Sequence, residues 1–200
     1  MFVNETDDVL RQNLLYDKIV FYGKDAEKQI VEMNPYLKIR IGGQEVQTHL
    51  TGSYNVWNFM VAAAVGRYFH ISDDVIAKAL GNYVPSNHRS QVDSIGSNVI
   101  ISDYYNANLT SMTAALKNLA QLEHPRKVAV LGDMRELGDL SNEAHDEIRQ
   151  LADNLHIETY FVGQEFAKVV AKNVFANVEE ANDYFTAHPL ENAMVLVKGS

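Results

Sequence analysis

Residues Val99 to Leu122 read VIISDYYNANLTSMTAALKNLAQL, and this stretch decides the fold. A short apolar run, Val99-Ile100-Ile101, ends at an acid, Asp103. The polar turn Tyr104-Tyr105-Asn106-Ala107-Asn108 follows. A helix is then predicted from Thr110-Ser111 onward, because Met112, Ala115, Leu116, Leu119 and Leu122 recur at helical spacing. A buried strand that delivers polar side chains to the start of a helix is how α/β sheets present groups to ligands. Taken singly, Asp103 is equally a turn former, and Asn108 or Thr110 a helix cap.

The rest of the chain repeats the pattern. Lys127–Leu131 leads through Gly132-Asp133-Met134 to a helix at about 141–155. Thr159–Val162 leads through Gly163-Gln164 to a helix ending near Lys172. A weak strand at Val174-Phe175 precedes a helix at 179–187, and Met194–Val197 ends at Lys198-Gly199-Ser200. Strands separated by helices imply a mostly parallel sheet with right-handed crossovers, so the fold class is α/β. The carboxyl ends of the strands then share one edge, which collects Asp103, Tyr105, Asn106, Asp133, Gln164 and Lys198. That collection reads as a ligand face. A phosphoacceptor role for Asp103 is disfavoured, since such a site expects an acidic pair after the domain's first strand, and here that strand carries Asp103.

Upstream the character differs. Residues 1–50 are β-rich: Lys18–Tyr22 ends at Gly23, and Leu37, Ile39 and Ile41 alternate with Lys38 and Arg40 before a Gly42-Gly43 hairpin turn into Gln44–Leu50. Phe2-Val3-Asn4 reads as the tail of another strand. A helix spans Asn55–Phe69, with Ala62-Ala63-Ala64 giving it a smooth side and Asn55 and Asn58 on one face. Asn55 is also a candidate cap, and the two amides together are candidates for reading a planar ring edge. Ser72 opens a second helix to about Leu80. A linker, Gly81–Asn87 with Pro85, leads directly into His88-Arg89.

Composition excludes whole classes of function. The 200 residues carry 17 Lys and Arg against 26 Asp and Glu, a formal charge of −9, which argues against nucleic acid as the main partner. There is no cysteine, hence no disulfide and no thiolate metal site, and no metal site is expected from the remaining residues. No apolar run approaches the roughly 20 residues that span a bilayer, and the N-terminus, with Asn4, Glu5, Asp7 and Asp8, lacks the pattern of a secretion signal. A cytoplasmic protein without a membrane span is expected.

Four segments together resemble a known family, the Mur ligases. Thr51-Gly52-Ser53-Tyr54-Asn55-Val56-Trp57-Asn58, with the alanines after it, resembles the family's G-x-H-N-x-x-N-x-x-A-A. Ser102–Asn108 resembles D-D-S-Y-N-A-N-P; Val130–Gly138, with His145 beyond it, resembles V-L-G-D-M-x-E-L-G; and Val195–Ser200 is similar to the start of a K-G-S-R segment. The order of the four matches the family. Tyr54 stands where the family has His, Ser102 replaces the first acid, Tyr104 the serine and Leu109 the proline.

The second and third segments resemble the branch that uses ATP to join D-Ala-D-Ala to a UDP-muramoyl tripeptide in cell-wall precursor synthesis, through an acyl phosphate. Other Mur-type or folylpolyglutamate-type amide ligases, and a non-catalytic nucleotide-binding α/β module, are the competing readings. The resemblance implies that Asn58 reads the adenine edge with Asn55 in support, that Arg89 meets the ATP phosphates as the catalytic residue, and that Asp103 takes the ribose hydroxyls. Tyr105, Asn106, Asn108, Asp133, Glu136, His145 and Lys198 fall to a substrate-side loop and rim.

It also implies that residues 1–86 are the end of a central ATP-binding domain and 87–200 a Rossmann-like C-terminal domain, truncated at its end. No G-x-x-x-x-G-K-[ST] occurs; the only Gly-Lys is Gly23-Lys24, followed by Asp25. The expectation is therefore a C-terminal fragment, inactive alone, of a ligase whose phosphate loop and Mg2+ ligands lie upstream.

Overall fold

The computed structural model describes residues 1–86, 88–170 and 172–200; Asn87, in the expected linker, and Ala171, in the expected helix to Lys172, lie outside the described residues. The chain divides into two compact units, Met1–Val84 and Pro85–Ser200.

The first unit opens with β1 (Phe2–Asn4), α1 (Asp8–Gln12) and β2 (Val20–Tyr22), β1 and β2 pairing in parallel. Then come β3 (Ile30–Met33), β4 (Leu37–Ile41) and β5 (Gln44–Gln47), an antiparallel sheet. Alternation works here as the sequence predicts: Leu37, Ile39 and Ile41 are buried, while Lys38 and Arg40 reach outward to Glu45. Helices α2 (Val56–Tyr68) and α3 (Asp73–Asn82) complete the unit, and Val56, Phe59, Ala63 and Ile76 close its core. The helix expected from Asn55 begins one residue later, at Val56, because Ser53–Asn55 is a short 3-10 turn.

The second unit runs β6 (Gln91–Ile95), β7 (Asn98–Ser102), α4 (Leu109–Gln121), β8 (Lys127–Gly132), α5 (Ser141–Asn154), β9 (Glu158–Val162), α6 (Gln164–Val169), β10 (Val174–Phe175), α7 (Val178–Ala187) and β11 (Met194–Lys198). Its sheet has the order β10-β9-β8-β11-β7-β6. All pairs are parallel except β6 with β7, joined by the turn at Gly96, whose φ of +60° a glycine takes without strain. This corrects one expectation: the strand before Asp103 is the second of the unit, not the first. β6 escapes a sequence reading because Gln91, Asp93 and Ser94 leave an edge strand with little apolar alternation.

Strand β11, last in sequence, inserts between β8 and β7. Its residues alternate between two cores. Met194 and Leu196 join Ile101, Leu131, Met112 of α4, Ile148 of α5 and Phe166 of α6 on one face. Val195 faces the other way, with Val128, Tyr160 and the α7 rings Tyr184 and Phe185. Strands buried on both faces read as continuous apolar runs, which is why MVLV and VAVL are legible as parallel strands.

The edge where the parallel strands begin is tied by charge. Arg126 grips Glu158 through Nε (3.1 Å) and Nη2 (3.0 Å), and donates to the Glu191 carbonyl, while Tyr160 Oη donates to the same carboxylate at 2.9 Å. The Arg126 guanidinium holds the Glu158 carboxyl below the ordinary glutamate range. A carboxyl lowered on folding contributes stability above its unfolded pKa, and that contribution fades as pH falls through the folded value. Glu158→Gln is therefore expected to lower stability at neutral pH yet flatten the loss between about pH 5 and pH 3, measured by urea unfolding across that range.

Candidate functional site

The pairing of β11 with β7 places Val197 opposite Ser102, so the residues just beyond each strand meet. Lys198 is only 3% exposed, and its ammonium donates to Asp103 Oδ2 at 2.8 Å, to the Asp103 carbonyl at 3.3 Å and to the Asn106 carbonyl at 3.2 Å. Three acceptors match the three donors of an ammonium group. Two residues on, Ser200 Oγ accepts from the Ala107 amide at 2.9 Å and donates toward Asn106 Oδ1 at 3.3 Å. Gly199 between them lies so close to β8 that an added Cβ would stand 3.0 Å from the Gly132 Cα. The end of β11 thus clasps residues 103–107. Asn108 closes the loop as the cap of α4: its Oδ1 accepts from the Ser111 amide at 2.8 Å, and Ser111 Oγ accepts from the Asn108 amide.

A second segment is zipped onto this loop. The Ser90 amide donates to Asp103 Oδ1 at 3.2 Å, and the Tyr104 amide donates to the His88 carbonyl at 3.1 Å. The His88 ring stacks on Tyr104, with centroids 4.6 Å apart and Nδ1 2.9 Å from the phenol oxygen. Between these contacts the Arg89 guanidinium carbon sits 3.6 Å above the Tyr105 ring. His88 and Ser90 take φ of +54° and +51°, uncommon for residues with a Cβ. Sequence reading singles out Arg89, Asp103 and Tyr105, but not the His88, Ser90, Tyr104 and Ser200 contacts that assemble them. The only available signals are the tripeptide's place directly after the linker and the serine following Lys198-Gly199.

The rim after β8 is built differently. Both Asp133 oxygens accept backbone amides at the start of α6, from Glu165 and Phe166, each at 3.0 Å. This needs Gly163, at φ +129°, since a Cβ there would stand 2.3 Å from the Asp133 carboxyl. His145 corrects an expectation. It is not on the rim but fully buried, with 0% exposure. Its Nε2 accepts from the Met134 amide at 3.0 Å, its Nδ1 donates to the Ser141 carbonyl at 2.7 Å, and its ring meets Phe166 edge-on. Both nitrogens are occupied, so it holds the 133–134 bend from beneath rather than meeting a ligand. Glu136 is exposed, at φ +64°, and Gln164 is exposed and donates to the Ala176 carbonyl. Lys168 and Ser141 hold the Glu165 carboxyl below its ordinary range.

A cleft of about 1040 Å³ opens on this side, bordered by Asp133, Glu136, Glu165, Phe185, Val197 and Lys198. Asp103, Tyr105, Asn106 and Asn108 do not line it. The sheet edge therefore carries two arrangements, the 88–90/103–108 zipper and the 133–138 rim, and Tyr104, Lys198 and Ser200 reach from the first to the cleft of the second. In the first unit, the buried Asn55 donates to the Thr51 carbonyl at 2.7 Å and accepts from the exposed Asn58 at 2.9 Å. Asn55 orients its neighbour and does not cap α2. Among the described residues no group of three His, Asp or Glu side chains is placed to hold a metal ion, and no helix is long and apolar enough to cross a membrane.

The family profile described as "Mur ligase, glutamate ligase domain" matches residues 88–200, more than half of the chain. The chain belongs to the Mur ligases. Among relatives, a UDP-N-acetylmuramoyl-tripeptide–D-alanyl-D-alanine ligase of Bacillus subtilis is 31% identical over 189 residues, covering 87% of this chain and 40% of its own. The protein of the same name from Mycobacterium tuberculosis is 38% identical over 144 residues, covering 68% of this chain and 28% of its own. A crystal structure of MurF from Acinetobacter baumannii superposes with a TM-score of 0.75 at 28% identity, covering all of this chain and 48% of its own. The chain spans less than half the length of these relatives.

Departures from the Mur ligase motifs have local explanations. Tyr54, in place of His, lays its ring against Gly52, where a Cβ would come within 2.4 Å of it. Ser102, in place of an acid, is a buried strand residue between β6 and β11, a position where an unpaired carboxylate would be costly. Tyr104, in place of serine, supplies the ring on which His88 stacks.

The Lys198–Asp103 pair invites a direct test. Lys198→Met leaves a carboxylate that is 16% exposed without its cation and is expected to destabilise the second unit by roughly 3–5 kcal/mol. Adding Asp103→Asn should recover part of that loss. Chemical unfolding of the two variants checks both, and additive losses would refute the coupling.

Proposed function

We propose that these 200 residues form part of an ATP-dependent ligase that joins D-Ala-D-Ala to UDP-N-acetylmuramoyl tripeptide in peptidoglycan precursor synthesis. The observation that carries the reading is the zipper of 88–90 on 103–105: the Ser90 amide binds Asp103, the acid of the motif segment, and Arg89, the first arginine after the linker, lies over the Tyr105 ring of the same segment. The relatives at 31% and 38% identity bear the name of that ligase, which favours it over the other amide ligases.

In this reading Asp103 takes the ribose hydroxyls of ATP and Arg89 meets its phosphates. Stacking occupies the guanidinium face and leaves the in-plane N–H edge for phosphate oxygens. Asn58, oriented by Asn55, reads the adenine edge. Asn106 and Asn108 shape the loop toward the dipeptide, and Asp133 and Glu136 border the same side. The tripeptide carboxylate takes the γ-phosphoryl group of ATP, releasing ADP, to give an acyl phosphate; the dipeptide amine attacks its carbonyl carbon, loses a proton and expels phosphate as the amide forms. Charge builds on the phosphoryl oxygens, so the chain's contribution is positioning and a cation rather than a nucleophile. Mg2+ serves the whole ligase in this reading. The described residues do not assemble a site for it, and its ligands are assigned elsewhere in the ligase. The compartment proposed is the cytoplasm.

The test uses the ligase that contains these residues. Asp103→Ala is expected to raise KM for ATP about ten-fold, the loss of a charged hydrogen bond, with KM for D-Ala-D-Ala little changed. Arg89→Ala is expected to lower kcat. Equal changes toward ATP and dipeptide in Asp103→Ala would reassign that residue to loop shape alone.

A further inference from the structure

Arg89 differs from the other well-placed cations. Lys198, Arg126, Arg149 and Arg67 each stand within ion-pair distance of a carboxylate. Among the described residues no acid stands so close to Arg89, whose defined neighbour is instead an aromatic face. An exposed arginine on a free stem samples many rotamers, and ordering it on a ligand costs side-chain entropy. A ring beneath the guanidinium removes part of that cost before the ligand arrives, without neutralising the charge.

The ring itself has a fixed base. Tyr105 is 65% exposed, but the backbone on both sides of it is tied. The preceding amide, of Tyr104, is bound to His88, and the following carbonyl, of Asn106, accepts from the buried Lys198. On the other strand of the zipper, His88 is stacked and Ser90 is bound to Asp103. Arg89 thus sits between two tied residues, His88 and Ser90, and Tyr105 between two tied backbone groups, those of Tyr104 and Asn106.

We propose that Tyr105 is a positioning residue for Arg89: its ring holds the guanidinium face so that the N–H edge is presented, preformed, to an anionic group of the nucleotide. This rests on the phosphate role given to Arg89 above. It assigns Tyr105 to the arginine rather than to the incoming dipeptide, and it makes the ring, not the phenol hydroxyl, the working part.

The test has a structural and a kinetic arm. In the 200-residue chain, the Arg89 side-chain Nε–H resonance should be displaced by the ring current, remain displaced in Tyr105→Phe and return to the position of a free arginine in Tyr105→Leu. In the ligase containing these residues, Tyr105→Leu should lower kcat/KM for ATP by about three- to ten-fold, the range of a cation–π contact, with an unchanged melting temperature. Tyr105→Phe should restore most of that loss. On an Arg89→Ala background, Tyr105→Leu should add nothing. An Arg89→Ala loss with Tyr105→Leu at the wild-type level overturns the inference and leaves the phosphate reading standing. No loss in Arg89→Ala overturns both. An additive effect of the two substitutions, or a change in KM for D-Ala-D-Ala matching that for ATP, would place Tyr105 on the substrate side and overturn the inference alone.

Discussion

A buried ammonium group is tolerated only where every proton finds an acceptor, and Lys198 meets that condition at the one point where β11 passes β7. Removing Lys198 and Asp103 from water costs several kcal/mol per ion, so the pair adds little stability in itself. What it adds is placement. Two of the three acceptors are backbone carbonyls, of Asp103 and Asn106, so the cation fixes the path of the loop as well as the carboxylate. The last strand in sequence therefore decides where the polar turn after the first parallel strand lies, a link of 95 residues made by one side chain.

Each unit shows two uses of polar residues. Asp133, His145, Asn108 and Asn55 are committed inward, to helix amides, to a bend, to a cap and to a turn carbonyl. They hold backbone. Arg89, Glu136 and Asn58 are exposed at the ends of those supports. The division follows from geometry: a residue immediately after a buried strand is still within reach of the neighbouring strand's amides and carbonyls, whereas one or two residues further the side chain has cleared the sheet. Asp103 stands at the boundary, with one oxygen on Lys198 and the other on the Ser90 amide, and an ionised carboxylate still has lone pairs to offer beyond those two bonds.

The fold was largely legible in the sequence because its signals are local. Continuous apolar runs marked the parallel strands, and helical periodicity marked α4 and α5. Gly42-Gly43 marked a hairpin between strands with strict alternation. β6 was not legible, since an edge strand half in solvent needs no apolar face and QVDSI shows none. The chemistry-bearing residues of the edge were legible as types at strand ends, but not the division of labour among them. Nothing in the sequence distinguishes a histidine on a rim from one whose two nitrogens are enclosed by Met134 and Ser141, because those partners lie 11 and 4 residues away across a bend. The Arg89–Tyr105 stack was hidden for the same reason: it depends on two positive-φ residues, neither of them glycine, that no local propensity favours.

Those two conformations carry the last step. His88 and Ser90 flank Arg89, and each holds a left-handed backbone that costs of order 1 kcal/mol for a residue with a Cβ. Such positions persist only where surrounding contacts over-determine them. Here the His88 ring and carbonyl bind Tyr104, and the Ser90 amide binds Asp103. The strain is thus balanced by the loop that Lys198 anchors. The tyrosine standing where the family has serine is part of this balance, since a serine at 104 offers no ring for His88 to stack upon. The tyrosine at 104 and the strained tripeptide at 88–90 are then held by one set of contacts, in which the Arg89 guanidinium lies over the Tyr105 ring of the loop that carries Asp103.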